Sequence, residues 1–293
     1  MQIAFHIGAN CTDEDRLLKS VLKNADVLLQ QGIGVPGPGK YRSLIREAIQ
    51  RIIGTQPDPD SGDILLAAIT ETDNLRRLVL SNDNFISVPA RIFDHDMFYP
   101  QAETKVRALH RLFPDEEIAL FYGIRNPASF LQETVQRVKP GSLDAYLGAL
   151  APEDLRWSDV LRRIKKAAPD TPLTVWCNED TPLLWDQLIR RLSGADPQTT
   201  IAGGLDLLAR ILTPAGLAAV SEQIARHPDA SDADRHALIA EIWTGHAIPD
   251  AVEDEIEIAE LDADLVDHLT RLYAQDLEVI ASMDGVELLL PFT

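Results

Sequence analysis

At 293 residues and 45% hydrophobic side chains, the chain has enough apolar material for one large α/β domain. Its 46 acidic residues against 27 basic ones give a formal net charge of -19, which sets most of the surface against a polyanion, so nucleic acid is not expected as a partner. Nothing approaches the roughly 20 consecutive apolar residues of a membrane helix, the N-terminus lacks the basic region and apolar core of a signal peptide, and two distant cysteines, Cys11 and Cys177, supply neither a disulfide framework nor a zinc site. These features predict a cytoplasmic protein with no membrane partner and no metal.

The first apolar run, IAFHIG, predicts a strand that breaks at Gly8 and passes through ANCT into a helix. Thr12 is placed to cap that helix, with Asp15 completing a capping box and Asp13, Glu14 and Asp15 forming an acidic first turn. Leu17, Leu18, Val21, Leu22, Ala25, Leu28 and Leu29 extend it as one apolar stripe to about Gly32. GVPGPGKYR reads as a loop open at its glycines, followed by a helix carrying Tyr41, Leu44, Ile45, Ala48, Ile49 and Ile52 on one face. A further helix to about Asp73 and a short strand, LVLS, lead to the polar tip NDN.

Helical spacing returns over residues 102–112. Residues 118–125 form a near-continuous apolar run, the mark of a strand buried on both faces, which stops at Asn126-Pro127 where a helix begins. LTVWCN predicts another strand and residues 181–192 another helix. Beyond about residue 200 helices dominate: LDLLARIL, AGLAAVSEQIA, one capped at Ser231, and a long one through Leu265, Leu269, Leu272 and Ile280, before a last apolar strand or tail, VELLLPF. Trp243 and Tyr273 fall at core-type spacings. Strands alternating with helices predict a single three-layer α/β domain, a parallel sheet over residues 1–200 followed by a helical C-terminal part over 201–293.

Ligands of such sheets sit beyond the carboxyl ends of the strands, and three stretches fall there. HIGANCTDED brings a helix N-terminus, a natural anion seat, although its acids satisfy the helix dipole themselves. SNDN places Asp83 where burial would raise it toward a general base, with an Asx-type turn as the plainer alternative. FYGIRNP puts Arg125, a permanently charged planar fork, at a strand end as an anion reader, with a salt bridge as its alternative.

In this order the three stretches resemble the PAPS-dependent sulfotransferases, a branch of the P-loop fold. Their phosphosulfate loop has the form H-I-G-x-x-K-T-G-[ST], which His6, Ile7, Gly8 and Thr12 match. Leu80-Ser81-Asn82-Asp83 is similar to an ISSE-like strand end, and Arg125-Asn126-Pro127 to the 3′-phosphate motif R-[ND]-P-x-x-R. The resemblance implies PAPS as cofactor, held by Gly8, Ala9, Asn10, Cys11, Thr12, Arg16, Arg125 and position 133. It also implies a hydroxyl or amine acceptor on a small molecule or glycan, and Asp83 or His6 as base.

The departures fall on the working residues. Cys11 replaces the loop lysine, which stabilises charge on the leaving group, and Asp13 replaces the following glycine. Glu14 and Asp15 replace small residues, Phe130 the second basic position, and Glu133 the expected serine. Three readings stay open: a sulfotransferase using Arg16, Lys19, Lys40 or Arg42 in place of the lysine; a P-loop-derived protein that binds another nucleotide or a cationic ligand; and a non-catalytic protein-interaction module. A packed role for His6 and a nucleophilic role for Cys11 are further alternatives. One glycine does not make the dinucleotide fingerprint G-x-G-x-x-G, and no G-K-[ST] closes a Walker loop.

Overall fold

A computed structural model describes residues 1–252 and 256–292. Six strands form one all-parallel sheet: β1 (Gln2–Gly8), β2 (Ile33–Gly34), β3 (Arg77–Ser81), β4 (Glu117–Ile124), β5 (Leu173–Cys177) and β6 (Val286–Leu289), in the order β2-β3-β1-β4-β5-β6. The helices over the first 200 residues are α1 (Arg16–Leu22), α2 (Ala25–Gln30), α3 (Arg42–Ile52), α4 (Ser61–Ile69), α5 (Ala102–Leu112), α6 (Pro127–Val138), α7 (Leu143–Leu147), α8 (Trp157–Ala167) and α9 (Thr181–Ser193). The C-terminal part adds α10 (Leu208–Ile211), α11 (Pro214–Arg226), α12 (Asp232–His246), α13 (Pro249–Val252) and α14 (Ala263–Ala281). No helix among the described residues is long and apolar enough to cross a membrane.

Alternation along each strand divides the core between two faces. Ile3, Phe5, Ile7, Leu78, Leu80, Leu120, Tyr122, Ile124 and Val175 join the apolar cluster that takes in α3, α5, α6, α8 and α14. Ala4, Val79, Ala119, Phe121 and Trp176 face the other way, onto α1, α2 and α9. Covering both faces explains why the strands read as unbroken apolar runs. A third, smaller cluster of Leu208, Leu212, Val220 and Ile239 lies wholly in the helical part and meets the sheet layers through Leu183 of α9.

Two glycines are fixed by close approach. At Gly8 the backbone has φ +141°, and a Cβ there would lie 3.0 Å from the Tyr122 ring. At Gly123 a Cβ would meet the Trp176 indole at 3.1 Å, so the missing side chain lets Trp176 lean across the sheet toward His6, with ring centroids 5.5 Å apart.

The structure corrects several local expectations. The first helix starts at Arg16, after Cys11, Glu14 and Asp15 have each turned through positive φ (59°, 50° and 63°), so the acids lie in a coiled loop rather than in a helical turn. Thr12 does not cap it: its hydroxyl donates to the Ala9 carbonyl at 2.7 Å, while the Asp13 carboxylate accepts from the N–H groups of Asp15 (3.2 Å) and Leu17 (3.1 Å). The stripe to Gly32 is two helices broken at Asn24, whose side chain donates to the Ser20 and Ala202 carbonyls (3.0 and 2.9 Å). The helix before β3 ends at Ile69, LDLLARIL keeps only one helical turn, and α8, amphipathic through Trp157, Val160, Leu161 and Ile164, is an element the sequence reading passed over.

Candidate functional site

β1 and β4 are neighbours, and the chain leaves β1 toward β2 but leaves β4 toward β5, so the loops beyond them part at a topological switch point. A cleft of about 480 Å³ opens beside it. Cys11, Thr12, Asp13, Glu14 and Arg16 come from the β1 loop, Arg125 from the end of β4, Glu133 from α6, and Asn178 and Glu179 from the end of β5. The helical part closes the far side with Leu207, Arg210, Ile211, Trp243 and Val252. Trp243 is half-buried, packing against the small helical cluster on one side and lining this wall on the other, whereas Tyr273 is buried as expected.

The β1 loop is held from below. Asn10 is fully buried: its backbone N–H donates to the Tyr99 hydroxyl (3.1 Å), and its amide nitrogen meets the Asp83 carbonyl, Asn84 Oδ1 and the Ser87 carbonyl at 3.0, 3.0 and 3.2 Å. That amide ties the loop to the tip of β3 and leaves it no role toward a ligand. From above, Arg42 donates to both Asp15 carboxylate oxygens (2.5 and 3.0 Å) and to the Ser81 carbonyl from Nε (2.9 Å) and Nη2 (2.8 Å). Tyr41 beside it is fully buried and donates to the same carbonyl at 2.7 Å. GPGKYR is therefore anchored at its end by two side chains rather than left open.

Arg125 is 7% exposed and is built into the loop's support. Its Nη1 donates to the Cys11 carbonyl (3.0 Å) and its Nε to Ser129 Oγ (3.0 Å), and its carbonyl accepts from the Trp157 indole (2.7 Å). Glu133 Oε1 lies 3.8 Å from its Nη2, a charge pairing beyond hydrogen-bond reach. Arg16 pairs with Glu14 at 2.5 Å and Lys40 with Glu71 at 3.3 Å.

The two base candidates stand away from the cleft lining. His6 is fully buried, with Nδ1 at 2.9 Å from Ser81 Oγ and Nε2 without a hydrogen-bond partner among the described residues. Asp83 accepts from the Asn84 amide (2.8 Å) and lies 3.8 Å from Arg137. Burial, and then repulsion from Asp13, push its carboxyl above the usual range. Cys11 reaches the cleft, but burial raises its thiol too, opposed by Arg137, whose Nη1 approaches Sγ at 3.6 Å. Gly8 and Ala9 lie beneath the loop and do not line the cleft.

Glu179 is the site residue that sequence reasoning missed, although its place just past a strand's carboxyl end was a signal for it. Its Oε1 accepts from the Asn126 N–H at 2.7 Å and its Oε2 from the Tyr273 hydroxyl at 3.3 Å. Surrounding protein pushes its carboxyl up, against the Asn126 bond and the charge of Arg125. Among the described residues no three His, Cys, Asp or Glu side chains converge as a metal site. Comparison with protein-family models, curated proteins and solved structures finds no match for this chain.

Proposed function

We propose that this chain is a sulfotransferase-like protein whose phosphate seats are filled by its own carboxylates, and that it acts as a binding module for a small molecule in the cleft. The carrying observation is Asp13. Its carboxylate takes the N–H groups of Asp15 and Leu17, the donors that a loop of this kind offers to an anion. Glu133, at the position where the resemblance implies a phosphate-binding serine, puts a second negative charge beside Arg125. A nucleotide phosphate entering either seat meets a carboxylate, and repulsion between them disfavours it.

The stand-ins named for the missing lysine support the same reading. Arg42 is spent on Asp15 and Ser81, Lys40 on Glu71 and Arg16 on Glu14, and Lys19 is exposed on α1 and does not line the cleft. Cys11 is a raised thiol and supplies no positive charge to a departing sulfuryl group. One observation favours the rival, PAPS-dependent transfer to a hydroxyl or amine: a buried guanidinium, Arg125, still stands in the cleft wall against the β1 loop.

Calorimetric titration with adenosine 3′,5′-bisphosphate separates the two. The filled-seat reading expects no binding at millimolar nucleotide, and a gain of binding in the double variant Asp13→Gly, Glu133→Ser. Micromolar binding by the unmodified protein that is lost in Arg125→Ala overturns it and restores a donor site.

A further inference from the structure

The volume of the cleft, about 480 Å³, is that of a small-molecule site. Its two sides differ in chemistry. The helical part presents Leu207, Ile211, Val252 and the half-buried indole of Trp243, a largely apolar surface with one large aromatic ring and one cation, Arg210, at its exposed margin. The sheet side presents carboxylates, and they are not equivalent. Asp13 is consumed by backbone N–H groups, Glu14 by Arg16, and Glu133 faces Arg125.

Neither Asp13 nor Glu179 has a basic side chain within salt-bridge distance among the described residues, but Asp13 is spent on the N–H groups of Asp15 and Leu17 close by in its own chain segment, whereas Glu179 takes one backbone N–H and one hydroxyl from other elements. It is exposed to the cleft, and the Asn126 N–H and the Tyr273 hydroxyl fix the carboxylate from behind, leaving about half of its roughly four acceptor positions for a ligand. Asn126 is in turn held, because its side chain caps α6 on Ala128 N (3.0 Å) and donates to Thr270 Oγ1 (2.9 Å). An oriented anion opposite an aromatic wall suits a protonated amine with an apolar body: the ammonium donates to the carboxylate and the body packs on the indole.

We infer that the cleft binds a small arylalkylamine, with its ammonium group on Glu179 and its ring against Trp243 and Ile211. The inference rests on the filled-seat reading, since a nucleotide phosphate in the same cleft would claim its volume and reverse its charge preference.

The test is calorimetric titration of the whole protein with three matched probes: phenethylamine, 2-phenylethanol and 3-phenylpropionate. The amine is expected to bind at least about tenfold more tightly than the alcohol, as a charge-assisted hydrogen bond is stronger than a neutral one, and the carboxylate not to bind. Glu179→Gln is expected to erase the preference for amine over alcohol, and Trp243→Ala to weaken both, with thermal melting checking that each variant is folded. Equal binding of amine and alcohol, no heat from the amine at millimolar concentration, or an unchanged preference in Glu179→Gln each overturns the inference, and the first two need no variant. Adenosine 3′,5′-bisphosphate in a parallel titration judges the underlying reading separately: nucleotide binding sinks that reading, while a silent nucleotide beside a silent amine sinks only the choice of ligand.

Discussion

Arg42 reaches Asp15 across 27 positions of sequence and grips both carboxylate oxygens, fixing the one residue of the β1 loop that turns left-handed immediately before α1. The Arg42 hydrogen bond is the main cause that holds the Asp15 carboxyl below its ordinary range. A depressed folded-state pKa contributes stability above the unfolded value of 3.8, and that contribution is lost as pH falls through the folded value. Asp15→Asn keeps a side chain that tolerates positive φ and removes only the charge. It is expected to lower stability at pH 7 by about 1 kcal/mol, discounted because the pair is partly solvated. Urea denaturation at pH 7 and again below pH 3.8 checks this: the gap between variant and parent should close in acid.

Asp13 is a cap as well as an occupant of the anion seat. Asp13→Ala leaves the N–H groups of Asp15 and Leu17 without their acceptor and is expected to destabilise by about 1 kcal/mol. Asp13→Asn retains one acceptor oxygen and should lose less. Chemical denaturation of the pair of variants reads the order, and an alanine variant as stable as the parent would refute the capping role.

Asp83 has the opposite pH signature. Its folded pKa is raised, so its ionised form is disfavoured in the native state: the protein is better off below the unfolded value of 3.8 and loses that advantage as pH rises through the folded value. Asp83→Asn keeps an oxygen for the Asn84 amide and removes the charge that burial and Asp13 penalise. Its melting temperature should equal or exceed that of the parent at pH 7, and the difference should shrink toward pH 3.8. A variant that melts lower at neutral pH would show that the Arg137 pairing outweighs burial.

The two thiols are expected to differ in reactivity. Burial pushes Cys177 to about 12, with Tyr273 opposing and Asp180 and Glu179 adding to it, whereas Cys11 is raised by burial but opposed by Arg137. Because the thiolate is the reactive form, a disulfide reagent at pH 8 should label Cys11 slowly through the cleft and Cys177 only after denaturation. Peptide mapping of the labelled native protein gives the order, and Arg137→Ala should slow Cys11 further.

What the sequence disclosed follows from how strongly each element is over-determined. β1, β3, β4 and β5 are buried on both faces, so their apolar runs were legible without any partner in view. The Asn126-Pro127 boundary was legible because proline dictates it. The loop was not: a Thr-x-x-Asp pattern suggested Thr12 as the cap, yet the backbone turns left-handed at Cys11, Glu14 and Asp15, none of them glycine, because Arg42 and the Asp83, Ser87 and Tyr99 partners of Asn10 hold it from distant parts of the chain. Only tertiary contact selects Asp13. The apolar wall of the cleft was equally hidden, since Leu207, Ile211 and Trp243 carry no motif and share one surface only after α9 to α12 have packed.

The small cluster of Leu208, Leu212, Val220 and Ile239 has a kinetic consequence. With so few fully buried side chains, α11 and α12 form a unit whose opening exposes far less apolar surface than loss of the sheet does, so its amides should exchange with solvent at a lower free energy than those of β1 and β4. The wall bearing Trp243 would then breathe while the wall bearing Glu179 stays fixed, and entry to the cleft would be set by the local melting of one helical pair.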